Sequence, residues 1–207
     1  MYSSPENTYS EREKAIISTK ITELLEKGAV SECNPTKGQF LSPIFVIPKS
    51  NGSHRLILNL KKFNEFVEPS HFKMESHKTA ISLLQEDYFM ASIDIKDAFY
   101  SVPIHESHRK YLRFQYENKL YEFNCLVFGL NVAPYFFTKL LKPVVSFLRK
   151  LGILLIVYID DILLIAKRPE DCAAANNVTT NLLQNLGFLL NDKGSKIPST
   201  RCVYLGF

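Results

Sequence analysis

The stretch LLIVYIDDILLIA, residues 154–166, sets two adjacent aspartates, Asp160 and Asp161, inside an otherwise apolar run. Hydrophobic flanks are where ionised carboxylates are most costly to keep. The two β-rich halves, 153–159 and 162–166, predict short strands with the aspartates at the reversal between them. A tight turn accepts Asp readily, and a pair held there for that reason alone would face solvent with no third acid nearby. Seven aspartates in 207 residues give about 0.24 adjacent pairs by chance, so the placement says more than the pair itself.

A third carboxylate comes from YFMASIDIKDAFYSVPI, residues 88–104, which reads as a strand containing Asp94 that turns toward helix at Lys96-Asp97-Ala98 and is limited by Pro103. Three converging carboxylates repel one another unless divalent cations neutralise them. Hard oxygen donors with water completing an octahedron suit Mg²⁺, usually alongside phosphate oxygens. Two such ions would activate a 3′-hydroxyl and steady a leaving pyrophosphate.

The rest of the chain supplies helices and a hairpin. In residues 11–27, Ile17, Ile21, Leu24 and Leu25 form one helical stripe, with Gly28 as its stop. SPIFVIPKSNGSHRLILNL reads as two strands around Asn51-Gly52, with Lys49 and Arg55 beside the turn. A two-residue loop pairs Lys49 with His54, and a three-residue bulged loop pairs it with Arg55. Residues 120–152 give a strand, a turn from Gly129 to Pro134, and a helix with apolar Phe136, Phe137, Leu140, Leu141, Val144, Val145 and Leu148, interrupted by Pro143. A second amphipathic helix ends at Gly187, and VYLGF reads as a last strand. Helices among largely non-alternating strands make an α+β fold with a helix-covered sheet.

Charge fits either a polyanion groove or, as such runs more often are, a solvated face. Between Lys37 and Lys78 lie seven basic residues against three acids, and this +4 equals the net charge of the whole chain. Phe63, Phe66 and Phe72 stand between those charges. Four scattered cysteines without a Cys-x-x-Cys pair suggest reduced thiols in an intracellular protein, neither a zinc site nor a disulfide framework. The longest apolar run, Ile153 to Ile159, is far short of the roughly 20 residues that span a bilayer, and the first residues carry no cationic apolar leader. No membrane partner is expected.

Tyr158-Ile159-Asp160-Asp161 resembles the Tyr-x-Asp-Asp motif of reverse transcriptases, and SIDIKDAFYSVPI resembles their first catalytic motif. IPKSNGSHRLILNLKKFN resembles the fingers hairpin, FGLNVAP the loop before the palm helix, LGFLLN with KIPST the segment after the active site, and YLGF the primer grip. The matches run in family order from about residue 28 to Phe207 and look closest to retrotransposons of the LTR or tyrosine-recombinase type. The resemblance implies a right-hand polymerase core, with fingers over 1–79 and 103–132 and a ferredoxin-like antiparallel palm sheet backed by helices over 80–102 and 133–207. The thumb is expected to be absent or truncated. It implies an RNA-directed DNA polymerase acting on an RNA or DNA template with primer and deoxynucleoside triphosphates, through two Mg²⁺ ions or Mn²⁺.

Residue by residue, the resemblance makes Asp94, Asp160 and Asp161 metal ligands, with the Ile95 carbonyl as a further one. Lys49 and Arg55 match phosphate-binding positions. Asp97, Ala98 and Phe99 match the floor under the deoxyribose and triphosphate, with Phe99 as the steric gate against a 2′-hydroxyl. Phe128 stands where retroviral enzymes commonly carry glutamine, and Gly129 gives backbone freedom beside template and nucleotide. Lys193, or alternatively Lys196, would protonate pyrophosphate. Tyr158 would support template and primer, and Leu205 and Gly206 the primer end. Three competing readings are a non-catalytic nucleic-acid-binding remnant, an RNA-synthesising palm polymerase, which Phe99 opposes, and a three-carboxylate hydrolase, which has no use for the fingers hairpin.

Overall fold

In a computed structural model of the chain, residues 9–49, 52–75, 77–85, 87–192, 194 and 197–205 are described. Their elements in chain order are α1 (Glu11–Glu26), β1 (Val30–Glu32), β2 (Ile44–Pro48), β3 (His54–Leu58), α2 (His77–Leu83), β4 (Phe89–Asp94), α3 (Glu106–Arg109), β5 (Arg113–Tyr116), β6 (Lys119–Phe123), α4 (Ala133–Lys150), β7 (Leu154–Tyr158), β8 (Asp161–Ala166) and α5 (Pro169–Asn185). This is an α+β arrangement in which every strand pairing is antiparallel. The chain divides into two compact units, Met1–Ser70 with Phe99–Ala133, and His71–Ala98 with Pro134–Phe207.

In the first unit, α1 starts at a complete capping box. The Ser10 side chain accepts from the Glu13 N–H, and the Glu13 carboxylate accepts from the Ser10 N–H. Ile17, Ile21 and Leu24 are buried, whereas Leu25, expected on the same stripe, is 39% exposed. The buried face of α1 packs against the β2–β3 hairpin, whose Ile44, Leu56 and Leu58 are also buried. Each such side chain contributes about 1.5–3 kcal/mol.

The hairpin takes neither expected register. Ile47 lies opposite Arg55 and Pro48 opposite His54, and the Lys49 N–H donates to the Ser53 carbonyl at 2.7 Å. Three residues, 50–52, therefore close the loop, with Gly52 at φ +79°. Asn51 lies outside the described residues. Strand alternation carries Lys49 onto the face of Ile47 and Arg55.

The other sheet of this unit has the order β1-β6-β5. Its β5 carries a buried cation, Arg113, whose guanidinium donates to Glu122 on β6 and to Asn34, Thr36 and Gln39.

In the second unit the sheet order is β4-β8-β7. Ala91, Ile93, Ile162, Leu164 and Leu155 are buried, and α5 packs against β4 and β8. On the alternate face, Ile156, Leu163 and Ile165 form a cluster with Tyr204, joined by Met90, Tyr158, Cys202 and Leu205. The helix α4 continues through Pro143 as one element. It buries Phe137, Leu141 and Leu148, while Phe136 and Leu140, apolar positions of the same helix, remain 50% and 45% exposed. The φ of +88° at Gly187 ends the run after α5 in the left-handed turn that glycine supplies.

The VYLGF strand does not form among the described residues. The chain before it touches the sheet by a bridge from Ser199 to Met90, and the segment itself lays Tyr204 and Leu205 over the sheet face, with Leu205 at φ +54°. A side chain plugging a sheet face and a left-handed backbone are both incompatible with extended ladder pairing.

Candidate catalytic carboxylates and the aromatic cation site

The register of the second unit's sheet positions the acids. Asp94 ends β4 and Asp161 begins β8, and the two are directly paired across the strands. Asp161 is in turn paired with Tyr158 at the end of β7, leaving Ile159 and Asp160 as a two-residue hairpin loop. Such loops demand positive φ, ordinarily met by Gly or Asn, yet Ile159 adopts φ +55°. A β-branched residue there stores about 1–2 kcal/mol of strain, which the surrounding strands must hold in place. The Ile95 N–H donates to the Asp160 carbonyl at 2.9 Å, tying the loop to the end of β4.

Asp161 feels this crowding. Burial, then the charges of Asp160 and Asp94, push its carboxyl from 3.8 up to about 6. Asp94 is fixed differently. Asn191 donates its side-chain amide to the Asp94 carboxylate at 2.7 Å, and its backbone N–H to the Asp94 carbonyl at 2.9 Å. The Tyr204 hydroxyl donates to the Asp161 carbonyl at 3.4 Å. On the sheet edge, the Val157 N–H donates to Glu75 at 2.9 Å, and Arg149 pairs with the same carboxylate while donating to the Leu155 carbonyl. An exposed edge donor next to the hairpin tip is thereby satisfied.

These acids fit a hard cation in donor type. Asp94 and Asp161 stand opposite each other at adjacent strand ends with Asp160 in the adjoining loop, and burial and like charge both oppose ionisation of Asp161. No three acidic, imidazole or thiol side chains among the described residues close around a single point as placed.

The raised Asp161 carboxyl predicts a pH-dependent penalty. A group protonated more readily folded than unfolded costs nothing below pH 3.8, costs progressively more up to about 6, and costs its full amount above that. The gap corresponds to at most ~3 kcal/mol at 1.36 kcal/mol per pH unit, and solvent screening of a partly exposed group reduces this to about 1–2 kcal/mol. In chelator-treated protein, Asp161→Asn is expected to exceed the wild type in urea stability by that amount at pH 7.5 and to match it near pH 4. An advantage equal at both pH values would remove the assignment.

The first unit holds a second constellation. The Arg55 guanidinium lies 4.2 Å from the centroid of the Phe128 ring, and Phe128 packs against Phe99 with centroids 4.9 Å apart. Phe99 is only 6% exposed. Lys49 is exposed at the hairpin end. Gly129, at φ +96°, sits where an added Cβ would come within 3.3 Å of the Leu58 carbonyl. Asn64 brackets this loop by donating to the Gly129 carbonyl at 2.8 Å and accepting from the Asn131 N–H at 3.1 Å.

Asp97 and Ala98 follow Asp94 in the second unit, Asp97 at φ +51° and Ala98 buried. Lys193, its alternative Lys196, and Gly206 lie outside the described residues. Sequence reading missed Asn191, Asn64 and Glu75. Its place as the first polar residue after the apolar run FLL was the available signal for Asn191.

Known proteins share this architecture. A foamy viral protease–reverse transcriptase, solved in complex with double-stranded DNA, superposes with a TM-score of 0.82 at 23% identity, covering 98% of this chain and 35% of that one. The fold is therefore that of the matched part of the viral enzyme. The enzymatic polyprotein of Soybean chlorotic mottle virus is 26% identical over 205 residues, 96% of this chain and 29% of the viral protein. The Pol polyprotein of the transposon gypsy from Drosophila melanogaster is 23% identical over 197 residues, 92% of this chain and 19% of that protein. The chain spans less than a third of the length of either relative. Residues 47–207 match the pattern of the family described as reverse transcriptase (RNA-dependent DNA polymerase), and the chain belongs to that family. Among the described residues, no helix is long and apolar enough to cross a membrane.

Proposed function

We propose that this chain is the RNA-directed DNA polymerase core of a retroelement polyprotein, adding deoxynucleotides to a primer 3′ end on an RNA or DNA template. The observation that carries the reading is the direct pairing of Asp94 with Asp161 beside a strained Tyr158-Ile159-Asp160 turn. The first unit then acts as fingers and the second as palm. The palm sheet is read as the ferredoxin-like platform of that fold.

In this reading Asp94, Asp160 and Asp161, with the Ile95 carbonyl, hold two divalent cations, Mg²⁺ or Mn²⁺. Bound there, such ions lower the pKa of the primer hydroxyl and neutralise charge on the leaving pyrophosphate. The chain's own residues do the rest. Asn191 keeps the Asp94 carboxylate from rotating. Lys49 and Arg55 bind triphosphate oxygens, Arg55 through a bidentate fork and Lys49 as a point charge. Lys193 or Lys196 returns a proton to pyrophosphate. Asp97 and Ala98 form the floor of the sugar site, and Gly129 lets backbone approach the template. Tyr158 and Leu205 support the primer terminus together with Gly206.

Extension of a DNA primer on an RNA template in Mg²⁺ or Mn²⁺ tests the reading. A folded chain that binds template and primer yet never extends would overturn it in favour of a binding remnant. Phe99 is the proposed gate against the 2′-hydroxyl, so Phe99→Val is expected to relax the preference for deoxynucleotides about 10–200-fold, the range that small steric differences in a pocket command. Unchanged discrimination in single-nucleotide incorporation would sink that role.

A further inference from the structure

The residue at 128 is a phenylalanine, and its surroundings are specific. It is half-buried, with Phe99 against one side, Tyr100 edge-on at 6.2 Å between centroids, and the Arg55 guanidinium 4.2 Å from its ring centroid. Among the described residues no carboxylate or carbonyl engages the Arg55 guanidinium, so the ring face is what orients it. An arginine held by an aromatic face keeps its N–H edge unspent, because the cation–π contact uses the plane and leaves the donors in the periphery. The backbone beneath the ring is also fixed. Asn64 bonds both the Gly129 carbonyl and the Asn131 N–H, and Gly129 abuts the Leu58 carbonyl at the end of the strand that carries Arg55.

We propose that Phe128 is a positioning residue that aims the Arg55 fork at the triphosphate and braces Phe99, linking phosphate binding to sugar selection through one ring. The inference rests on the nucleotide-binding reading above. A glutamine at this position would instead hydrogen-bond a ligand directly, while the ring acts only through its neighbours. The two chemistries make opposite predictions for a paired substitution with Arg55.

The test is a fluorescence titration of the whole chain with mant-dATP and mant-ATP in Mg²⁺, for wild type, Phe128→Leu, Phe128→Tyr, Arg55→Ala and the Phe128→Leu/Arg55→Ala pair. Phe128→Leu is expected to weaken mant-dATP binding about tenfold, within the range of a partly desolvated cation–π contact. Phe128→Tyr, which retains the ring face, is expected to stay within about twofold of wild type. The paired variant is expected to bind no more weakly than Arg55→Ala alone, as residues acting through one contact do. Phe128→Leu should also narrow the preference for mant-dATP over mant-ATP, a readout that simple loosening of the fold would not move selectively.

Wild-type affinity in Phe128→Leu, or full additivity with Arg55→Ala, would overturn the inference while leaving the polymerase reading standing. Equal losses in Phe128→Leu and Phe128→Tyr would overturn it as well, since they would report a packing defect. A chain that shows the expected pattern of nucleotide binding but never extends a primer overturns the polymerase reading alone. A wild-type chain that binds no triphosphate overturns both.

Discussion

Asp160→Asn is expected to reduce primer extension by about 10³-fold or more, since it removes charge from the point where the transferring phosphoryl group must be stabilised. The fold should not suffer. Asp160 lies in a two-residue loop, and its charge raises the Asp161 carboxyl rather than stabilising it. Removing that repulsion is expected to add about 0.5–1 kcal/mol of stability at pH 7.5, a screened charge–charge term between partly exposed groups. The combination of lost activity and gained stability distinguishes a functional carboxylate from a turn-forming one. A turn aspartate in the same place would show the gain in stability without the loss of extension. Asn191→Leu offers a graded comparison, with an expected loss of about 10–100-fold, typical for a residue that orients a ligand without being one. Single-turnover extension on an RNA template, with urea denaturation of the same preparations, measures both quantities. Retention of more than a tenth of wild-type extension in Asp160→Asn would remove the carboxylates from the chemistry.

The strand ends that carry those acids could be read from sequence because their signals are local. Asp94 closes a β-rich run, and Asp160 and Asp161 interrupt another, so both positions follow from β-rich composition and run length within a few residues. The stripe of α1 and the stop at Gly187 are equally local. What escaped is long-range or geometric. Asn191 reaches Asp94 across 97 residues of chain, and Asn64 reaches Gly129 across 65, and no pattern within a window of sequence records such partners. The hairpin register failed because Asn51-Gly52 fits loops of several lengths, and only the φ of Gly52 and the Lys49–Ser53 bond decide between them. The buried face of α4 was not distinguished from its other apolar positions. Apolar residues surround most of that helix, and among its described residues Ala133, Phe137, Leu141 and Leu148, at i, i+4, i+8 and i+15, turn inward. In VYLGF, aromatic and β-branched content suggested a strand, but Tyr204 covers the sheet face above Asp161 instead.

Arg113→Met is expected to destabilise the first unit by about 3–5 kcal/mol, the cost of leaving a buried charge without its partner. Arg113 is 5% exposed and donates to Glu122 at 2.6 and 2.9 Å, to the Asn34 carbonyl at 3.1 Å, to Thr36 at 2.9 Å and to Gln39 at 2.7 Å. Methionine replaces only the apolar stem and satisfies none of these acceptors, and Glu122, with its side chain 15% exposed, would remain charged in a poorly solvated site. Arg113→Met with Glu122→Leu is therefore expected to recover about 1–4 kcal/mol of the loss, since an apolar pair of similar volume has no desolvation penalty. Urea denaturation of the single and double variants measures the difference, and a single variant within about 1 kcal/mol of wild type would show the network to be no more than a surface ion pair. The effect should also reach the hairpin. The Arg113 carbonyl accepts from the Ser42 N–H at 2.9 Å, and Ser42 lies two residues before β2, which leads to Lys49. Loss of the guanidinium frees the 34–39 loop on one side of this anchor. In the double variant, which restores stability without restoring the bonds to Asn34, Thr36 and Gln39, mant-dATP affinity is expected to stay below wild type. Full recovery of both properties together would show that the network acts on stability alone.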